Sequence, residues 1–366
     1  AKSADVHNSL HVKVSRERVG KELEGVLSGK NSRASAGLEL ITDLKLAGCV
    51  FEFPHDGSSN TVEGELEKDV EYNSLTMGEK TQAREQTWLK SANLTKHTST
   101  FLNAFKQMQN SSTAQNMTPV DARIFHLSTF LYPLRKLNVV DAKEKITPLP
   151  SYIIRDSIKF KNKDVQSITC LLANVDDMRD IFTTFSNSSD NFCRLRVGLL
   201  MRNLKDLWVS ALLLAGIVDM HRKEYFQQET VPEIDACVEK VSIFLQEIQR
   251  QGLDGCWKDR PLMDGKAILK TLGLPRGPII GHYLQEQTKF MLLNPLGTTD
   301  DCEIHLKAVR KRDLEIEAEE AKAKAEAEAD AEAQNSSDVC MESNLEKNGN
   351  ESSEPSLKRP NTGDKR

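Results

Sequence analysis

The chain has 366 residues, 28% of them charged and 6% aromatic, which allows two or three domains with cores of their own in a helix-rich protein. Its formal net charge of −5 is unevenly spread: residues 313–334 hold nine acids against two lysines, net −7, and residues 335–366 hold −1, leaving 1–312 at +3. A mildly basic body permits an RNA partner without demanding one.

Residues 1–53 read as two or three short helices. Ser15 is a good N-cap, with Val14 and Val19 placed for a hydrophobic staple. Val19, Leu23, Val26 and Leu27 then share a face at helical spacing, and Glu17–Lys21 and Arg18–Glu22 stand four apart as supporting pairs. Arg16, Glu17 and Arg18 crowd the first turn. Two arginines oppose the helix dipole there, so a carboxylate or a phosphate is expected nearby. A turn-rich break follows at 54–61, where His55-Asp56 has the look of a metal-dependent hydrolase site but lacks a partner pair. Residues 54–116 are polar and weakly periodic, with one helix (Phe101, Leu102, Phe105, Met108), and read as a loosely packed insertion.

Residues 117–225 form a helical body. Thr118 as cap, Pro119 at the first helical position and Asp121 in the first turn open a helix with Ile124, Leu127 and Leu131 inside. Pro148 and Pro150 separate it from Tyr152–Ile158, and Val165, Ile168, Leu172, Val175 and Met178 mark an amphipathic helix. After the polar turn Ser186–Ser189, one continuous helix is expected through Leu195, Leu199, Leu204, Trp208, Leu212 and Ala215. Arg194, Arg196, Arg202 and Lys205 line its other sides, as a solvated face or as RNA contacts. The apolar run Leu207–Val218 is too short to cross a bilayer and reads as buried core, so no membrane is a partner.

Residues 226–312 read as a second helical domain. Pro232 opens a helix through Val238, Val241, Leu245 and Ile248, and Gly252 closes it. Asp264 caps a helix that Gly273 ends; Gly277 and Pro278 start the next, with Gly281 allowing another backbone to approach. The second N-terminus beside Arg276, with Lys266 nearby in sequence, makes a workable phosphate site; the same spacing fits a plain helical corner. Thr298 and Asp301 cap a helix that runs on through the Glu/Ala/Lys-rich tract 313–334, exposed on all sides, and residues 335–366 read as a disordered tail, with Leu357-Lys-Arg-Pro360 and Lys365-Arg366 as a weak nuclear-import candidate. No strand is expected, so the fold class is all-α. The seven scattered cysteines read as reduced thiols of an intracellular compartment, whether cytoplasm, nucleus, mitochondrion or plastid. No Gly-Ser turn with a following D-x-D is present, and Asp176-Asp177 and Asp300-Asp301 are not spaced to share a metal. No catalytic or metal-binding residue is expected.

Two stretches resemble a known family. Ser15-Arg-Glu-Arg-Val-Gly-Lys-Glu-Leu23, followed by Leu38-Glu-Leu-Ile-Thr-Asp-Leu-Lys-Leu46 and Val50-Phe-Glu-Phe53, resembles the neck of CCA-adding tRNA nucleotidyltransferases. The succession Gly252-Leu-Asp with Trp257, Arg260-Pro-Leu-Met-Asp-Gly265, Gly277-Pro-Ile-Ile-Gly281 and Asn294-Pro-Leu-Gly-Thr298 resembles the tail of that family, especially its plant members, as does Arg202-Asn-Leu-Lys-Asp-Leu-Trp208 in the body. The resemblance implies an elongated neck–body–tail array of helices that binds tRNA. It also implies a catalytic head, upstream of Ala1, that holds magnesium and takes CTP and ATP, so no activity is expected of this chain alone. Ser15, Arg16, Glu17 and Arg18 are then the neck motif. Arg194, Arg196, Arg202, Lys205, Lys266, Arg276, Gly277 and Gly281 are the RNA-binding candidates. The competing readings are a stand-alone nucleic-acid-binding adaptor with a helix-hairpin-helix-like tail, and a helical scaffold for protein partners.

Overall fold

The computed structural model describes residues 4–28, 33–55, 59–66, 70–111, 121–187, 192–224 and 234–345. They divide into two compact units, Ala1–Arg260 and Pro261–Arg366, and the chain is mostly helical, as expected.

The first unit opens with α1 (Ala4–Lys13), α2 (Arg16–Ser28), α3 (Ala34–Asp43) and the short α4 (Ala47–Val50). Leu23 and Leu27 are buried, but Val26 is 36% exposed and lies off their face. Next come α5 (Met77–Lys96) and α6 (Thr98–Ser111), within the segment expected to be a loose insertion. It is not loose. Trp88 stacks on Phe130 with ring centroids 5.7 Å apart and meets Phe51 at 5.8 Å, while Phe101 and Phe105 are sealed in the core. The inward face of α5 is Thr87, Trp88, Ser91, Ala92, Leu94 and Thr95. Small and hydroxyl side chains let helices approach closely, and they give no apolar period to read.

A small sheet corrects the expectation of no strands. β1 (Thr61–Leu66), β2 (Val70–Glu71), β3 (Leu137–Val140) and β4 (Ile146–Pro148) lie in the order β2-β1-β3-β4, all pairs antiparallel. Val62 pairs with Val139 and Gly64 with Leu137. Gly64 has φ +118°, and a Cβ there would stand 2.4 Å from the Lys136 carbonyl oxygen, so only glycine fits.

α7 (Ala122–Leu131) is capped by Asp121 itself, whose carboxylate accepts from the Arg123 and Ile124 amides; Thr118 and Pro119 lie outside the described residues. α8 (Leu149–Tyr152) continues into a π-helical turn, Ile153–Ser157, before α9 (Asn162–Asn187). The single helix expected over 195–215 is two, α10 (Arg194–Leu204) and α11 (Trp208–Glu224), broken where Lys205 takes φ +51°. From Ala211 to Ile217 α11 is buried on every side, as an all-round apolar helix must be. α12 (Ile234–Arg250) packs its Phe244 against Phe185 at 5.0 Å and Phe182 at 6.1 Å. It therefore belongs to the first unit, and the division expected at 225/226 falls at 260/261; Pro232 lies outside the described residues.

The second unit has α13 (Gly265–Leu272), α14 (Ile280–Leu293) and α15 (Thr299–Leu345) around Met263, Ile268, Tyr283, Phe290, Cys302, Leu306 and Val309. The caps of α13 and α15 are those expected, whereas α14 begins at Ile280, just after the start expected at Gly277 and Pro278. The Asp264 carboxylate accepts from the Ala267 amide at 2.7 Å, Gly273 closes α13 at φ +63°, and the Thr298 and Asp301 side chains each accept from the other's backbone N–H. Gln287, 1% exposed, accepts from the Met263 amide at 2.8 Å and donates to the Met263 carbonyl at 3.1 Å. α15 runs past residue 334, the expected end of its regular part, to Leu345.

Candidate nucleic-acid interface

Arg16 lies at the first turn of α2, where the Ser15 carbonyl accepts from the Val19 amide at 3.1 Å and its hydroxyl only loosely, at 3.4 Å, from the Arg18 amide. Its guanidinium turns inward. Nε donates to the Ser157 carbonyl at 2.6 Å, Nη1 to the Cys49 carbonyl at 2.8 Å and to Glu52 Oε1 at 3.0 Å, and Nη2 to the Val50 carbonyl at 2.5 Å and Ser157 Oγ at 2.9 Å. Cys49 and Val50 end α4 and Ser157 ends the π-helical turn, so one arginine satisfies carbonyls that those ends leave open. Ser157 Oγ completes the knot by accepting from the Glu52 amide at 2.7 Å and donating to the Val50 carbonyl at 2.9 Å. The carboxylate expected beside Arg16 is thus Glu52 of this chain. Glu17 and Arg18 face solvent. Glu17 is held below the usual carboxylate range by its own backbone N–H and by Ser15. Neither Glu17–Lys21 nor Arg18–Glu22 closes as an ion pair among the described residues.

Gly20, one turn along α2, permits this knot. A Cβ there would stand 1.9 Å from the Ile158 carbonyl oxygen. The sequence marks Gly20 only as a glycine inside a helix; that, and the spacing from Arg16, is the signal that could have pointed to it. Ser157 carries no comparable signal.

The basic residues of α10 are mostly committed within the first unit. Arg194 donates from Nη1 to the Gln251 carbonyl and, at 3.2 Å, to Gln251 Oε1. Arg202 donates to the Cys256 carbonyl at 2.6 Å, and Arg196 pairs with Asp180 at 3.4 Å. Two of the four tie α10 to the turn after α12; the side chain of Lys205, exposed at its left-handed position, makes no hydrogen bond or ion pair with the described residues. Asp176 is likewise spent. It accepts from Arg135 Nε at 2.8 Å and from the Tyr132 hydroxyl at 3.1 Å, with Arg179 at 3.3 Å. Burial raises its carboxyl, but the Arg135 bond and the two guanidinium charges outweigh that and hold it below the usual range. Among the described residues no group of three His, Cys, Asp or Glu is gathered to hold a metal ion.

In the second unit the turn between α13 and α14 leaves Arg276, Gly277 and Pro278 exposed, and Lys266 exposed at the start of α13. The side chains of Arg276 and Lys266 form no hydrogen bond or ion pair with the described residues. A Cβ on Gly265 would lie 3.6 Å from Ile280 Cγ1, so the first turns of α13 and α14 sit side by side. The amides of Ile280, Gly281 and His282 are already given to the carbonyls of Gly277, Pro278 and Ile279 at 3.0–3.3 Å, so a phosphate here would rely chiefly on the side chains. The close backbone approach expected at Gly281 is not found, since a Cβ added there or at Gly277 meets nothing within 4 Å. His55 is exposed and Asp56 lies outside the described residues, as does everything after Leu345, including Leu357-Lys-Arg-Pro360.

Among the described residues no helix is long and apolar enough to cross a membrane. No family model matches the chain, and no solved structure matches it. Curated relatives do. The chain is 25% identical over 312 residues to the mitochondrial CCA tRNA nucleotidyltransferase of Saccharomyces cerevisiae, covering 83% of the chain and 54% of the relative. It is 24% identical over 314 residues to the enzyme of the same name from Candida glabrata, covering 83% and 56%, and 21% identical over 310 residues to tRNA nucleotidyltransferase cca1 of Schizosaccharomyces pombe, covering 82% and 54%. The chain spans about half the length of these relatives, and its likeness to them supports kinship with the CCA tRNA nucleotidyltransferases.

Proposed function

We propose that this chain is the tRNA-binding neck, body and tail of a CCA-adding tRNA nucleotidyltransferase of the class II, plant-like kind, acting inside the cell in tRNA maturation and repair. Its helices hold the acceptor part of tRNA, while a nucleotidyltransferase head outside these residues holds the magnesium ions and takes CTP and ATP. The observation that carries this reading is the likeness over 83% of the chain to enzymes of that name, of which it spans about half. Arg276 and Lys266 are the phosphate contacts in this reading, because they are exposed and uncommitted. Lys205 is a weaker third. Arg194, Arg196 and Arg202 hold the body together instead, and Arg16 braces the neck.

The test has two arms. Filter binding of the 366-residue chain to a tRNA ending in C-C, across a range of salt, is expected to show affinity that falls as salt rises, and tighter binding than to an unstructured RNA of equal length. Equal binding to both RNAs would remove the tRNA reading. Incubation with magnesium, labelled ATP and the same tRNA is expected to give no extension. A one-nucleotide product from the pure chain would overturn the placement of catalysis outside it.

A further inference from the structure

The first unit carries a strip of positive charge that none of these roles uses. Between the π-helical turn and α9 the chain runs Ile158-Lys-Phe-Lys-Asn-Lys-Asp164, and Lys159, Lys161 and Lys163 are all exposed. The acids beside them in sequence are matched elsewhere. Asp156 pairs with Arg155 at 2.7 Å, and the two Asp164 oxygens accept from the Arg123 guanidinium at 2.7 and 3.0 Å. Glu17 is near enough to Lys159 to feel its charge but faces solvent. The side chains of the three lysines form no hydrogen bond or ion pair with the described residues.

The fold presents this charge at a cost. Lys159 holds φ +51°, a left-handed backbone that glycine adopts more easily. Lys161 and Lys163 flank Asn162, the first residue of the 26-residue α9, at the end where a helix disfavours cations. The segment is nonetheless pinned. The Ile158 amide donates to the Ile153 carbonyl at 3.0 Å, and the Phe160 amide to the Ile154 carbonyl at 2.9 Å. Gly20 of α2 lies directly against the Ile158 carbonyl, and the Arg123 guanidinium covers the Phe160 ring at 5.4 Å. Three unmatched cations thus stand on a rigid base, and little ordering is needed when a partner arrives.

The surroundings select the kind of polyanion. Among the described residues no large apolar side chain is exposed from 151 to 165, and Phe160, the one aromatic of the strip, is taken up by Arg123 and Gly20. A single strand is held by aromatic rings that stack on its bases. A membrane surface needs apolar residues beside the charge or a longer basic cluster. Lysines are compact point charges and suit phosphates whose bases are turned inward and left unread. We infer that Lys159, Lys161 and Lys163 contact the phosphate backbone of a base-paired RNA stem, in addition to Arg276 and Lys266 of the second unit. This rests on the tRNA reading and adds to it the kind of RNA structure that the first unit holds.

The test is filter binding of the full chain, across a range of salt, to a fully paired RNA hairpin, an unstructured RNA of equal length and a tRNA ending in C-C. The wild-type chain is expected to prefer the hairpin to the unstructured RNA. Lys159→Gly, Lys161→Gln and Lys163→Gln together should weaken hairpin and tRNA binding at least about tenfold and flatten the salt dependence by about two units of slope. The unfolding midpoint should hold or rise, since glycine suits position 159 and the helix start loses two cations. If the joint variant fails to fold, Lys161→Gln and Lys163→Gln decide singly, each weakening binding about threefold. A control with the same loss of charge, Lys143→Gln, Lys145→Gln and Lys240→Gln, all exposed, should bind within about twofold of wild type. Hairpin binding untouched by the strip variants, an equal loss in the control, or a wild-type preference for the unstructured RNA over the hairpin would each overturn the inference. So would a loss of binding to mixed phosphatidylcholine–phosphatidylserine vesicles with RNA binding kept. In these cases tRNA binding by the wild type keeps the tRNA reading standing; a wild-type chain that binds none of the three RNAs removes that reading and the inference with it.

Discussion

Arg16 and Arg276 are both arginines beside the start of a helix, and the molecule uses them in opposite ways. Arg16 makes five hydrogen bonds to Cys49, Val50, Glu52 and Ser157, and only 17% of its side chain meets solvent. Arg276 lies exposed on a turn flanked by glycines with open space beside them. The difference teaches that a basic motif shows where charge was placed, while burial decides whether that charge is spent on the fold or kept for a partner. Arg194 and Arg202 of α10 fall on the Arg16 side of this division.

Substitutions separate the two kinds of position. The largest effect is expected at Gly20. Ala would drive a Cβ into the Ile158 carbonyl, which forces the backbone apart, and denaturant unfolding should show a loss of about 5 kcal/mol or more. A Gly20→Ala chain of unchanged stability would mean that α2 is not docked as described. Arg16→Ala comes next. It removes the hydrogen bonds to Glu52 and to three backbone carbonyls, at about 3 kcal/mol or more, and Arg16→Lys should recover little of it, since an ammonium lacks the planar fork. Full rescue by Lys would show that charge alone matters there.

Acid attacks the same unit. Burial, with Lys106 nearby, pushes His126 down to about 4, and burial, with His97 nearby, does the same to His221. Their folded pKa values lie below the unfolded value, so the unfolded chain binds protons first. The stability these histidines contribute is fully present above about pH 6.5 and is lost as pH falls towards 4, by about 3 kcal/mol for each. Urea unfolding at a series of pH values measures the slope, and a flat profile in that window would show that neither ring is buried neutral. The smallest stability effect is expected at Arg276. Arg276→Glu should leave the unfolding midpoint within error, yet weaken tRNA binding and flatten its salt dependence by about one unit of slope. Binding and slope left unchanged would make that turn structural only.

Helices with a hydrophobic stripe and a cap were legible in the sequence: α9, α13 and the start of α15 follow from Ile168–Met178, Asp264–Gly273 and Thr298–Asp301. α5 was not, because it buries threonine, serine and alanine beside Trp88. Its one sequence signal is the reciprocal capping of Thr76 and Glu79, a pattern that fits many non-helical turns as well. The sheet escaped notice because its strands are two to six residues long, and its central pairing, β1 with β3, joins residues more than seventy positions apart, where no local period exists. The break at Lys205 escaped because helical spacing runs unbroken through Leu204 and Trp208. At the candidate interface the basic residues could be counted from sequence, but their partners could not: Arg16 finds Ser157, a residue 141 positions away.

All three tryptophans, Trp88, Trp208 and Trp257, lie in the first compact unit, while the second holds the 47-residue α15. From Glu315 to Ala327 every residue of that helix is exposed, and contacts such as Lys311–Glu315 and Lys322–Glu326 at 3.9 Å are its side-chain support. Such a segment melts by gradual fraying rather than in an all-or-none step. Indole fluorescence therefore reports the cooperativity of the first unit alone, whereas far-ultraviolet circular dichroism adds a broad slope from α15. The two probes should not superimpose, and their mismatch is a property of where the chromophores lie rather than the mark of a folding intermediate.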